Sequence, residues 1–372
     1  MQHHLTPASN VLLTGVTGLI GGEVFRRLLA GGHGGRVWTL VRPTADQCPA
    51  ERLLTRLARS GNDAAPLPES VSPVAGDILR PDWGLSAADR DAIAGSVDVI
   101  VHNAADTSFA THRDTAKTNV EGVRRLIDFA RTCRRNPLIV YMSSASNVGR
   151  VTGGCLTEED GCRPDNAHIN DYTHSKAVGE QLLRDSGLPV LTLRPTIVLS
   201  AGLPDPIFAR QILWCAPLTR TFDALPIDPA ARLDLVDVGF VAEATLRLLG
   251  SSRREHDCYH LSAGPSGCVT AGDLSVMTNR LYARRTPLRL VPPAEWTPSV
   301  HRQFVRSRFQ RRVFRALKLY LPFFNMDVVY DDARLRAEVP AADVPMRPTA
   351  EYLPSLLRLI RQKVALKEAA IP

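Results

Sequence analysis

A chain of 372 residues, 44% of them hydrophobic, can build one large folded unit or two ordinary ones. Its formal charge of +7 is matched by a single acid-free stretch holding Arg302, Arg306, Arg308, Arg311, Arg312, Arg315 and Lys318, so the remainder is balanced and the broad basicity of a nucleic-acid binder is excluded. No apolar run nears the roughly 18 residues of a membrane span, and seven cysteines without a C-x-x-C pair read as reduced thiols, with no metal site and no disulfide framework.

The first element expected is a short strand, Val11 to Thr14, followed by glycines at 15, 18 and 21 and by a helix with Leu19, Val24, Leu28 and Leu29 on its buried face. A glycine-rich turn this near the start leaves no room for a secretory leader before it, and a cytoplasmic location is expected. After the glycine cluster 31–35 comes a second strand, "RVWTLV". Strand, glycine turn, helix and strand in this order form a dinucleotide-binding signature, because glycines let the backbone approach a pyrophosphate resting on the helix N-terminus. The second strand ends "LVRP", with Arg42 and no acid before Asp46. An acid there would hold a ribose 2′-hydroxyl, whereas an arginine suits a 2′-phosphate, so NADP is expected over NAD. Arg52, in the helical pattern "ERLLTRL", is a second candidate for that phosphate or else a surface helix residue.

Further apolar runs at Val71 to Ala75, Val97 to Val101, Leu138 to Tyr141 and Val190 to Arg194 lack alternation, as strands covered on both faces do. The fold class is therefore α/β, a Rossmann-type doubly wound parallel sheet. After the fifth strand and its "SS" end, Tyr172 stands four residues before Lys176, one turn apart on a helix face. Seven tyrosines and five lysines make about 0.1 such pairs by chance, so the pair is read as chemistry. A neighbouring ammonium favours phenolate, and the spacing predicts that Lys176 lowers the Tyr172 pKa toward working pH.

Beyond Pro195 the alternation breaks. Residues 200–233 carry five prolines and "IFARQILWCAPL", an insertion expected over the substrate cleft. "LDLVDV" then gives a strand and an amphipathic helix capped by Asp237, and "CYHLSAG" another strand. A nucleotide-binding domain of 9–199 plus 234–264 and a smaller, mainly helical substrate-binding lid of 200–233 plus 265–372 follow from this. In the basic stretch, Val305, Phe309, Val313, Leu317 and Leu321 lie four apart, predicting one amphipathic helix over 302–318 with arginines opposite its apolar stripe. Those cations either face water or meet an acidic carrier protein, coenzyme A phosphates or an anionic membrane surface.

The motifs "TGVTGLIGG", "LVRP", "VAGDI", "GLS", "VIVHNAADTSF", "KTNVEG", "YMSSASNVG", "YTHSK", "LRPTIV" and "LDLVDV" occur in the order found in the extended short-chain dehydrogenase/reductase superfamily. Over about residues 9–264 the chain resembles its thioester reductase and fatty acyl reductase branch. The resemblance implies Tyr172 as general acid, Lys176 as its partner and ribose ligand, Ser144 as the hydroxyl that holds the substrate carbonyl, with Ser143 competing, and Asn119 as a supporting residue or a buried asparagine satisfying backbone. It implies cofactor contacts at Thr14, Gly15, Thr17, Gly18, Leu19, Ile20, Gly21, Arg42, Arg52, Asp77, Ile78, Asn103, Ala104, Ala105, Pro195 and Ile197, besides Tyr172 and Lys176. His102 is expected to be a packed histidine. The resulting expectation is an NADPH-dependent reductase, acting on an acyl thioester of coenzyme A or an acyl-carrier protein and giving aldehyde or alcohol. Homodimers through helices flanking the sheet and a location peripheral to a membrane are also implied. Rivals are a sugar-nucleotide epimerase or dehydratase, a hydroxysteroid-type dehydrogenase, and a non-catalytic NADP sensor.

Overall fold

The computed structural model describes residues 4–59, 66–109, 114–200 and 212–369. Seven strands form its main sheet: β1 (Val11–Thr14), β2 (Val37–Val41), β3 (Val71–Ala75), β4 (Val99–His102), β5 (Leu138–Met142), β6 (Val190–Pro195) and β7 (Cys258–Leu261). Their spatial order is β3-β2-β1-β4-β5-β6-β7, every pairing parallel. β1 lies between β2, its successor, and β4, so the winding reverses beside it and a crevice opens at the carboxyl ends of β1 and β4.

The runs of β1, β2, β4 and β5 are buried along their whole length, because helices cover both faces. On one face α1 (Leu19–Ala30) and α6 (Val238–Gly250) bring Val24, Phe25, Phe240 and Leu248 into a core with β1 and β5 residues. The other face holds Trp83 of the 3-10 turn Pro81–Gly84, Leu126 and Phe129 of α4 (Thr115–Thr132), and Leu183 of α5 (Asp171–Arg184). Asp237 caps α6 by accepting from the Phe240 N–H. Several strand limits differ from expectation by a residue or two, β5 also running on to Met142. Val97 ends the helix α3 (Ala87–Ser96) as its cap, so β4 starts only at Val99, and β6 extends to Pro195.

A second core gathers Leu213, Phe222 and Leu225 with Leu274, Val313, Leu317 and Leu356, drawn from the helices Ala271–Leu281, Arg308–Leu317 and Thr349–Ala369. Much of the expected cleft-covering insertion, residues 201–211, lies outside the described residues; Ile212–Thr221 is a 3-10 helix. The single helix expected over 302–318 is instead broken. One helix ends at Phe304, Ser307 and Gln310 form a capping box that starts a new one at Arg308, and a third short piece begins at Leu321. Phe309, placed on the apolar stripe by spacing, is 56% exposed, whereas Val313 and Leu317 are buried. All seven cations of the stretch remain exposed. Among the described residues no helix is long and apolar enough to cross a membrane.

Candidate active site

The glycine turn is built for close approach. Gly15 follows Thr14 with φ +73°, and a Cβ there would fall 2.7 Å from the Ala104 nitrogen; at Gly21 it would meet the Gly15 carbonyl oxygen at 2.5 Å. Backbone strain and contact therefore both require glycine. Thr14 ties β1 to the end of β4: its hydroxyl accepts from the Ala104 N–H at 3.1 Å and shares a hydrogen bond with His102 Nδ1 at 3.2 Å. The α1 N-terminus has Gly18 as cap without a side-chain partner, and its first turn carries no acid. Thr17, Leu19 and Ile20 line this turn, partly exposed. A glycine cradle at a positive helix end, with no carboxylate in the first turn, fits a pyrophosphate.

Arg42 and Arg52 meet beyond β2. The Arg52 guanidinium donates to the Arg42 carbonyl, and burial together with the Arg42 charge lowers the Arg52 pKa. Arg42 itself is 68% exposed, its Nη1 3.9 Å from Asp77 Oδ2 at the end of β3. Two converging cations fit a 2′-phosphate. Ile78 packs over Gly122 of α4. Asn103, Ala104 and Ala105 leave β4 along the crevice, the Asn103 amide against Gly18 and Gly21. Pro195 closes β6 buried, and Ile197 pairs with Leu235.

The Ser144 hydroxyl, just past β5, shares a hydrogen bond with the Ser146 hydroxyl at 2.8 Å, and it lies near enough to the phenol of Tyr172 on α5 to favour the phenolate. Asn170 caps that helix in a capping box with Thr173, fixing the first turn on which Tyr172 sits. Lys176, one turn on, is buried and donates to the Met142 carbonyl at 2.8 Å, its Nζ 4.9 Å from the Tyr141 ring centre. Burial pulls its pKa down to about 8, against the pull of Glu180. The expected lowering of the Tyr172 pKa is not found. Burial pushes the phenol up to about 12, and the nearby Ser144 hydroxyl offsets only part of this. The ammonium is directed at a carbonyl, so desolvation of the phenolate dominates.

Ser143 is occupied elsewhere. Its hydroxyl donates to Glu180 and accepts from Asn147 Nδ2 at 3.1 Å. Glu180 is held by Arg194 at 2.6 Å, both side chains only 2% exposed, and by Asn147 Nδ2 at 2.7 Å. This pair, unanticipated from sequence, sits directly behind the two serines; its signal was Glu180 at helical spacing, four residues past Lys176. Asn119 bonds the backbone of Asp106 in both directions, at 2.8 and 3.0 Å, and gives a third bond to Ser175 at 2.9 Å. It orders the loop after β4 against α5, without bonding the Tyr172 phenol. His102 is buried and packed, its pKa pulled down to about 3 by burial and by Lys176. Arg56, also unanticipated, lies 5% exposed with Nε and Nη2 3.4 Å from the Gly18 carbonyl. Phe109 covers the site, 5.8 Å from the Tyr172 ring and 4.9 Å from Phe323.

Residues 13–245 match the family model of an NAD-binding domain described as male sterility protein. Carboxylic acid reductase of Segniliparus rugosus is 31% identical over 294 residues, covering 68% of this chain and 24% of that protein. The chain spans less than a third of the length of the curated relatives it matches. The reductase domain of a nonribosomal peptide synthetase from Mycobacterium tuberculosis superposes with TM-score 0.70 at 26% identity, covering 98% of this chain and 93% of that one. A thiolation-reductase di-domain from an archaeal nonribosomal peptide synthetase shares the fold, with TM-score 0.74 at 20% identity over 98% of this chain and 77% of that one. With its parallel sheet, glycine cradle and serine-tyrosine-lysine group, the chain belongs to the male sterility protein family, in the thioester-reductase branch of the extended short-chain dehydrogenase/reductases, and is an NAD(P)-dependent oxidoreductase.

Proposed function

We propose that the protein reduces an acyl thioester with NADPH. The observation that carries this reading is the neighbouring placement of the Ser144 and Tyr172 hydroxyls at the carboxyl edge of the sheet, with buried Lys176 one turn away. When bound, a reduced nicotinamide supplies the hydride. Ser144 and Tyr172 then hold the carbonyl oxygen, and their hydroxyls oppose the charge that develops on it. Tyr172 keeps its proton until that oxygen needs it, since burial holds the phenol far above neutral pH. Lys176 anchors the cofactor ribose, and Met142 fixes the direction of its ammonium. The hemithioacetal so formed expels its thiol and leaves an aldehyde. Arg42 and Arg52 select the 2′-phosphate, and residues 200–233 with 265–372 hold the substrate.

The proposed partner is an acyl-carrier protein, the thioester being presented on its pantetheine arm. Support comes from the solved di-domain in which a reductase follows a thiolation domain, and from the exposed cations flanking Phe309 on the helix Arg308–Leu317. Acidic carriers meet such a surface by charge.

NADPH oxidation against coenzyme A and carrier-bound thioesters, with aldehyde trapping, tests the reading in the native protein and in Tyr172→Phe. Removing the donor abolishes turnover, by about 100-fold or more, while NADPH affinity stays within a few-fold. Retained aldehyde formation in Tyr172→Phe removes Tyr172 from the mechanism.

A further inference from the structure

Behind the serine, tyrosine and lysine lies a buried cluster that the proposed reduction does not use. Its centre is the carboxylate of Glu180, one helical turn past Lys176 on α5 and, like it, buried. Glu180 Oε1 accepts from the Ser143 hydroxyl, from Asn147 Nδ2 at 2.7 Å and from Arg194 Nε at 3.1 Å, and Oε2 accepts from Arg194 Nη2 at 2.6 Å. Arg194 is anchored in turn, giving its Nη1 to the Glu158 carbonyl at 3.0 Å. Ser143 precedes Ser144, and Asn147 belongs to the 3-10 turn Ala145–Val148 that Ser144 caps. Both sides of the segment that carries Ser144 are therefore tied to one carboxylate. A carboxylate engaged by three side chains out of water has little freedom to turn, so the segment inherits its position.

The same carboxylate acts on Lys176. The other titratable side chains around that ammonium are Tyr141 of β5, whose ring centre lies 4.9 Å from Nζ, His102 of β4, and Tyr172 on α5 itself. Burial keeps all three uncharged near neutral pH, pulling His102 down to about 3 and pushing both phenols up. Among the described residues Glu180 is thus the negative charge that opposes the burial of Lys176. Without it, an ammonium only 4% exposed gives up its proton more readily.

Resting on the proposed thioester reduction, we infer that Glu180 is a positioning residue of the reaction: it holds the Ser143–Asn147 segment so that Ser144 meets the carbonyl oxygen, and it is the counter-charge that keeps the Lys176 ammonium available to the cofactor ribose. Arg194 fixes the direction of that carboxylate.

Two variants separate the two roles. Glu180→Gln keeps the shape and removes the charge. NADPH affinity, read by fluorescence titration without any thioester, is expected to fall above about pH 8 in the native protein and about one pH unit lower in Glu180→Gln. The sign follows because losing the counter-charge lowers the lysine pKa further, so the ammonium disappears at lower pH. An unmoved fall, or none in the native protein, overturns the counter-charge. Ser143→Ala cuts the bond between Glu180 and the serine segment but leaves the charge. With a pantetheine thioester at saturating NADPH, its kcat is expected to drop on the order of tenfold while KM for the thioester stays within about twofold; an unchanged kcat overturns the hold on Ser144. Should Glu180→Gln fail to fold around a stranded guanidinium, the double variant Glu180→Met with Arg194→Met replaces it: the same downward displacement supports the counter-charge, and an unmoved fall overturns it. If the native protein reduces no thioester yet the fall moves in Glu180→Gln, the reductase reading fails and the counter-charge stands. If reduction proceeds and the fall does not move, the reading stands and the counter-charge fails.

Discussion

Lys176 donates to the Met142 carbonyl at 2.8 Å, while the phenol of Tyr172, one turn earlier on the same helix face, lies beside the Ser144 hydroxyl. The two residues whose spacing predicts a direct interaction thus both face the end of β5 instead. Burial leaves Lys176 the easier of the two to deprotonate, at about 8, and Tyr172 the harder, at about 12. An alkaline loss of function therefore belongs to the ammonium. The value of kcat/KM for NADPH, which reports the free protein, is expected to hold steady below about pH 8 and to fall about tenfold per unit above it. The sign follows from a lowered lysine pKa: the charged form, proposed as the ribose anchor, disappears as pH rises. A profile flat to pH 10 would assign the ribose to another group.

Arg42→Ala removes one of two cations that crowd each other at the end of β2. A charge-assisted bond to phosphate is worth roughly 1.5–3 kcal/mol, or about 10- to 100-fold in affinity. NADPH binding by fluorescence titration is expected to weaken by that factor and NADH binding by no more than twofold. Equal losses for both would undo the 2′-phosphate assignment.

Glu180 and Arg194 form an ion pair whose side chains are each 2% exposed. The Arg194 pKa is raised, the pull of Glu180 outweighing burial. Glu180→Met strands a guanidinium out of water, and urea unfolding should register a loss of about 3–5 kcal/mol. The double variant Glu180→Met with Arg194→Met should recover much of it, since no charge is left unpaired. A single variant within about 1 kcal/mol of native would mean that water reaches the pair.

Neutralising Arg308, Arg311, Arg312 and Arg315 to glutamine tests the carrier surface. For a carrier-bound thioester KM should rise on the order of tenfold at low salt, with the difference shrinking as salt screens the charges. For a free pantetheine thioester it should not move. An unchanged carrier KM at low salt would take the helix out of the encounter.

The presence of parallel strands and the glycine turn were legible because buried parallel strands leave unbroken apolar runs and a pyrophosphate cradle needs glycine. The basic helix was misjudged because its four-residue spacing continues by accident across Ser307, whose capping box with Gln310 restarts the chain. Period outweighed the stop signal. Glu180 and Arg194 stand fourteen residues apart on a helix and a strand, and only the packing of α5 against β6 joins them. Phe109 lies in a loop with no period at all, so nothing marked it as the cover of Tyr172. The direction of the Tyr172 shift escaped the spacing because spacing carries charge but not solvent.

The Gly15 and Gly21 contacts have a mechanical meaning. With a methyl group's worth of room missing at both, the turn after β1 and the Asn103–Ala104 segment after β4 press on each other without slack. Whatever displaces one displaces the other, so the glycine turn and the end of β4 move as a single block. A side chain added at either glycine should accordingly disturb both segments at once.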